Sequence, residues 1–197
     1  THGEPSTINA HPHLNKEKTL FLIHNGIIEN YLSLKKGLEK EDYEFISETD
    51  TEVLAHLIDH YLKLKHSLFQ AVRYALNEVE GTYGICVIYK GESDKIIAAR
   101  KGSPLVLGIG NNENFVASDV NALIAHTKQV VYLEDGEIAE IYKDHFTTKT
   151  IADETIIKEI FQVEVGIDEI TKGGFTHFML KEIMDQPDSV FNSMRGR

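Results

Sequence analysis

Residues 81–101 read GTYGICVIYKGESDKIIAARK: two apolar runs rich in strand-forming residues, separated by the polar turn GESD. The same alternation of short strand and short turn continues downstream. PLVLGIG at 104–110, NFVAS at 114–118 and VVYLEDGEIAEIYK at 130–143 are strand-like, with GNNEN and EDGE as turns. DVNALIAHT at 119–127 reads as one short helix among them. The Gly108–Gly110 pair fits a hairpin bend, because it lacks the third glycine and the βαβ setting of a dinucleotide-binding loop.

Upstream of residue 81 the period changes. NYLSLKKGLEK at 30–40 predicts a short helix. Thr49 and Glu52 have capping-box spacing ahead of Val53, Leu54, Leu57, Ile58, Tyr61 and Leu62, and Ser67 and Gln70 repeat it ahead of Leu68, Val72, Leu76 and Val79. Two amphipathic helices follow from those spacings. TLFLIH at 19–24 predicts a buried strand closed by a tight turn at Asn25-Gly26, and YEFIS at 43–47 a further strand. THFMLKEIMDQP at 176–187 predicts an amphipathic helix stopped by Pro187, with a linker running on to Arg197. Helices grouped together and strands grouped together imply an α+β fold of antiparallel sheets covered by helices.

Composition narrows the function classes. Twenty basic against 31 acidic residues give a net charge of -11, which opposes attraction to nucleic acid and to anionic membrane surfaces. No window reaches the roughly 20 apolar residues that span a bilayer, and no signal peptide is visible, so the expectation is a soluble, cytoplasmic domain. Cys86 is the single cysteine. It lies in an apolar strand, where burial raises a thiol's pKa, and reads as a core residue.

Four features could carry chemistry. Thr1, in THGEP, has the residue type of an N-terminal nucleophile that uses its own α-amine as base. Asn25 and Gly26 could aim a side-chain amide and a backbone N–H at one point, as an oxyanion hole requires, or could simply form a turn. Asp50 at a helix start could satisfy free amides or hold a substrate ammonium. His11 and His13 have an H-x-H spacing that, with His2 and Asp50, admits a metal-dependent hydrolase. Solvent-facing loop histidines are the simpler reading, since no further ligand cluster follows at suitable spacing.

Taken in order, THGEPSTINAHPH (1–13), HNGIIEN (24–30), SETDTEV (47–53), EGTYGICVIYK (80–90), ARKGSPLVLGIG (99–110), NFVASD (114–119) and KEIMDQP (181–187) resemble one family throughout. They are similar to the glutaminase domain of the glutamine–fructose-6-phosphate aminotransferase family, class II glutamine amidotransferases. The resemblance implies an N-terminal nucleophile hydrolase fold: a four-layer αββα sandwich of antiparallel sheets, here without its first strands. It implies a glutaminase domain over 1–175, N-terminally incomplete, and a helix and linker over 176–197 leading to an absent sugar-isomerase domain. Release of ammonia from L-glutamine, for conversion of fructose 6-phosphate to glucosamine 6-phosphate at that second domain, is the implied activity.

The resemblance gives Asn25 and Gly26 the oxyanion hole, Asp50 the α-ammonium of glutamine, and Thr1 and His2 its α-carboxylate. No cofactor or metal is implied, and the full-length family member is expected to be a homo-oligomer. The family's nucleophile is a cysteine at the mature N-terminus, with an arginine and a tryptophan ahead of THGEP; this sequence contains none of them. Thr1 is thereby reassigned from nucleophile to substrate contact. The chain used alone is expected to be inactive because it lacks that cysteine; a non-catalytic glutamine-binding module is an alternative reading, beside the metal-dependent hydrolase.

Overall fold

A computed structural model describes residues 3–163 and 174–194. The chain divides into two compact units, Thr1–Gln162 and Val163–Arg197. In the first, the predicted helices form as α1 (Tyr31–Glu39), α2 (Asp50–Lys63) and α3 (Leu68–Glu78). Ser67 and Gln70 cap α3 reciprocally, each side chain meeting the other's backbone N–H.

The 81–101 stretch forms the predicted hairpin, β3 (Gly81–Tyr89) and β4 (Lys95–Lys101). Around it build β1 (His13–Leu14), β2 (Leu20–Ile28), β8 (Glu137–Tyr142), β9 (Phe146–Thr150) and β10 (Thr155–Ile156). These make a seven-stranded antiparallel sheet in the order β1-β2-β3-β4-β8-β9-β10. A four-stranded sheet orders β11 (Phe161–Gln162), β7 (Gln129–Tyr132), β5 (Val106–Ile109) and β6 (Asn114–Ala117). Gly110 closes the β5–β6 hairpin by donating its N–H to Glu113 O at 2.9 Å.

The period-2 rule explains the layers. Ile97, Ala99 and Ile138 face the helices with Ile85 and Val87, and pack against Leu54, Ile58, Leu68 and Val72. Their neighbours Ala98, Ala139 and Ile141 face the other way, onto Leu105, Leu107, Val131 and Leu133 of the small sheet. With both faces covered, β4 reads as an unbroken apolar run rather than an alternation. Each fully buried Leu or Ile contributes about 2 kcal/mol of transfer free energy. On the outer face of the small sheet, Leu123 and Thr127 pack over Gly108. This segment holds a single 3-10 turn at Val120–Ala122 in place of the short helix expected over 119–127.

Three local expectations are corrected. YEFIS is unpaired, because the backbone N–H groups of Ile46 and Ser47 donate to the Glu52 carboxylate instead of to a neighbouring strand. The strand begun by TLFLIH does not turn at Asn25-Gly26 but runs on to Ile28, fully paired with β3. In the second unit, helix α4 (Phe178–Met194) passes through Pro187 to Met194. Proline removes one i→i−4 hydrogen bond and favours a kink, but does not by itself prevent the following turns.

Candidate functional site

Asn25 and Gly26 sit in mid-strand, opposite Gly84 and Tyr83. Gly26 has φ +138°, and a Cβ there would lie 2.1 Å from Thr82 O. Only glycine allows β3 to approach this closely, so the NG pair is a strand distortion and not a hairpin turn. Beside it the Ile27 N–H donates to the Thr82 side-chain hydroxyl at 3.3 Å. Asn25 is exposed on the face of β2 turned away from the helices, Gly26 is half-buried, and His24 and Ile28 are buried on the helix face.

The start of α2 meets this strand. Thr49 caps the helix by accepting the Glu52 N–H at 3.3 Å. Only half of the predicted box forms, because the Glu52 carboxylate turns back further, to the N–H groups of Ile46 (3.0 Å) and Ser47 (2.7 Å) and the Ser47 hydroxyl (2.6 Å). Burial alone would raise the pKa of Glu52. The neighbouring His56 and the Ile46 and Ser47 donors outweigh it and lower the value to about 2.

Asp50, the first helical residue, is 1% exposed. Its Oδ2 accepts the Ile28 N–H at 2.7 Å, and its Oδ1 lies 3.4 Å from the Thr51 hydroxyl. The strand carrying Asn25-Gly26 is thus bonded directly to the carboxylate predicted to bind an ammonium.

These parts enclose a cavity of about 310 Å³ lined by Asn9, Ala10, His11, His24, Asn25, Gly26, Thr49, Asp50 and Thr51. Burial lowers the pKa of both His11 and His24, with the charge of Asp50 opposing it. Neutral imidazoles around a buried carboxylate suit a cationic guest. The cavity fits a small molecule with an ammonium group and a polarised carbonyl, the latter within reach of the Asn25 amide.

An adjoining cavity of about 400 Å³ shares His11, His24 and Asn25 and is lined also by Cys86 and Leu105. Cys86 lies opposite Ile23 and Ala98 on the face turned to the small sheet. It is half-buried and borders this second cavity rather than the closed core expected of it. Burial raises its thiol pKa to about 12, which keeps it protonated and non-nucleophilic at neutral pH.

Among the remaining sequence candidates, Thr1 and His2 lie outside the described residues. His11 and His13 meet edge to face with ring centroids 5.4 Å apart. His13 turns its Nε2 to the Thr49 hydroxyl at 3.1 Å, behind the helix cap rather than into the cavity. Among the described residues no three His, Cys, Asp or Glu side chains converge as metal ligands, and no helix is long and apolar enough to cross a membrane.

Sequence reasoning passed over His24, Thr51 and Asn9. His24 and Thr51 adjoin residues that were singled out, and the strand alternation of TLFLIHNGII was the available signal for His24. Asn9 carries no such signal. It ties the loop before β1 to the loop before α2, accepting the Glu48 N–H at 3.0 Å and donating to Glu4 O at 2.9 Å.

Comparison with known proteins matches residues 5–125 to a family described as glutamine amidotransferase domain. All of the chain aligns with glutamine–fructose-6-phosphate aminotransferases (isomerizing). The one from Chlorobaculum tepidum is 53% identical, that from Bacteroides thetaiotaomicron 50%, and that from Caldanaerobacter subterraneus subsp. tengcongensis 47%. The chain spans about a third of each, 32% of their length. Two solved structures, each 27% identical, share the fold. An allosteric regulatory enzyme of purine biosynthesis matches over 74% of this chain and 32% of its own, with TM-score 0.61. A glutamine phosphoribosylpyrophosphate amidotransferase from B. subtilis, complexed with ADP and GMP, matches over 75% of this chain and 33% of its own, with TM-score 0.62.

Proposed function

The chain belongs to the glutamine amidotransferase domain family, and on that footing we propose that it is the glutaminase part of a glutamine–fructose-6-phosphate aminotransferase. In this reading it holds L-glutamine while the side-chain amide is cleaved. The ammonia goes to a sugar-isomerase domain of the same polypeptide, which converts fructose 6-phosphate to glucosamine 6-phosphate. Residues 1–175 are assigned to the glutaminase domain and 176–197 to the connection. A cytoplasmic homo-oligomer is the proposed full-length form.

One observation carries the reading: Asn25-Gly26 and Asp50 come from separate elements and line one cavity of about 310 Å³. Asp50 receives the α-ammonium of glutamine. Thr1 and His2 take the α-carboxylate. The side-chain carbonyl is then directed at the Asn25 amide and the Gly26 N–H, which stabilise the negative oxygen as a nucleophile adds to the carbon. Fixed donors on a rigid strand need little reorganisation as that charge develops, so they favour the tetrahedral intermediate over the planar amide.

Addition requires a thiolate, and the protonated Cys86 does not supply one. The nucleophile in this proposal is the N-terminal cysteine of the family pattern, which the 197-residue sequence lacks. Calorimetry with L-glutamine and an ammonia-release assay on the 197-residue chain test it together. Expected are binding and no ammonia; ammonia released by the chain itself would refute the assignment of the nucleophile. With the isomerase domain present, amide-¹⁵N glutamine is expected to label glucosamine 6-phosphate.

A further inference from the structure

His24 is 5% exposed, and both of its ring nitrogens have partners. Nε2 lies 3.3 Å from Thr82 O and Nδ1 lies 3.0 Å from the Thr51 hydroxyl. A backbone carbonyl can only accept, so the ring hydrogen is on Nε2 and donates to Thr82. Nδ1 is left to accept from Thr51. One hydroxyl proton cannot serve two acceptors, and the 3.0 Å contact to His24 takes precedence over the 3.4 Å contact to Asp50.

Each partner matters to the site. Thr82 O is the atom that lies 2.1 Å from where a Cβ on Gly26 would stand, so its position sets how the distorted strand sits. Thr51 follows Asp50 in the first turn of α2. His24 and Ile28 share the helix face of β2 and flank Asn25-Gly26. Ile28 bonds to Asp50 and His24 to Thr51, so the dipeptide is held at both ends against the same helix start.

We propose that His24 is a positioning residue that fixes the distance between the carbonyl-binding donors of Asn25-Gly26 and the ammonium-binding Asp50. It touches neither reacting atom. Its action passes through Thr82 on one side and Thr51 on the other, and it matters to glutamine because the ligand must meet both ends at once. This rests on the glutamine reading of the cavity.

The test uses the ¹⁵N-labelled 197-residue chain and three variants, His24→Gln, His24→Leu and Thr51→Val. Glutamine is long enough to keep a donor near Thr82, whereas leucine keeps only bulk. Ring-nitrogen spectra at neutral pH are expected to show His24 protonated at Nε2 and accepting at Nδ1, and the Nδ1 signal is expected to move in Thr51→Val. Protonation at Nδ1 with Nε2 bare would overturn the proposal.

L-glutamine affinity is expected to fall about tenfold in Thr51→Val and more in His24→Leu, with part recovered in His24→Gln. Measured on protein shown to be folded, unchanged affinity in His24→Leu would also overturn it. If the unaltered chain binds no glutamine, the reading of the cavity fails separately. The ring spectra then decide on His24, together with faster exchange of the Ile28 amide in His24→Leu.

Discussion

The first turn of α2 buries two carboxylates two residues apart, and they have opposite surroundings. Glu52, 3% exposed, faces the loop before the helix and is filled by hydrogens from Ile46 and Ser47. Asp50, 1% exposed, faces β2, takes one N–H from Ile28, and borders a cavity. A buried carboxylate with its lone pairs answered by the protein is structural. Glu52 also borders a cavity, of about 390 Å³, but its oxygens are already answered, whereas a carboxylate that takes a single backbone N–H keeps acceptor capacity for a guest. The difference separates a carboxylate whose oxygens are used by the fold from one that is open to the ligand proposed for this cavity.

The largest effect should come from breaking the closed side. Glu52→Ala strands the buried Ser47 N–H and hydroxyl and the part-buried Ile46 N–H and is expected to cost about 3 kcal/mol, lowering Tm by about 10 °C. Thermal unfolding measures it. A loss below about 1 kcal/mol would remove the structural role given to Glu52.

Acid should reach the same side. Glu52 titrates at about 2 in the folded chain against an ordinary 4.5, so its contribution is present above pH 4.5 and is lost as pH falls toward 2. That amounts to about 3 kcal/mol. The histidines act earlier: His11, His13 and His24 are all lowered below 6.5, so the unfolded chain takes up their protons first. Stability should begin to decline below about pH 6.5 and fall again below 4.5, with the lower step reduced in Glu52→Ala; Asp144 and Asp153, also lowered by their His145 and Lys149 partners, keep the rest.

The open side should give the smallest change in stability and a change in binding. Asp50→Asn keeps an acceptor for Ile28 N–H and is expected to move Tm by only a few degrees, while L-glutamine affinity falls about a hundredfold. Calorimetry and melting on one sample check both. A variant that loses stability as Glu52→Ala does, yet still binds, would erase the contrast between the two residues.

Much of this architecture was legible beforehand because it depends on local periodicity. The spacing of Val53, Leu54, Leu57 and Ile58, the caps at Thr49 and Ser67, and the hairpin at 81–101 each arise from contacts close in sequence. The site was legible in part. Asn25, Gly26 and Asp50 were named from motif and family resemblance, but Asn25-Gly26 was also readable as a turn. Its true setting depends on Thr82, more than fifty residues away, crowding a position that only glycine can occupy. YEFIS has strand composition, but its amides were claimed by Glu52, which no alternation rule detects. Cys86 had the residue pattern of a core position, and only the placement of the small sheet left it at the edge of a cavity.

By itself the sequence determined the α+β class and the grouping of α1–α3 ahead of β3, since these rest on period and caps, while the residues that could meet a glutamine were given by the family resemblance. Tertiary structure alone decided that Asp50 and Asn25-Gly26 line one cavity, that Glu52 is spent on the fold, and that His24 bridges Thr51 and Thr82. Those outcomes are set by pairings between β2, β3 and α2, and a hydrogen-bond partner dozens of residues away leaves no local signature in the chain.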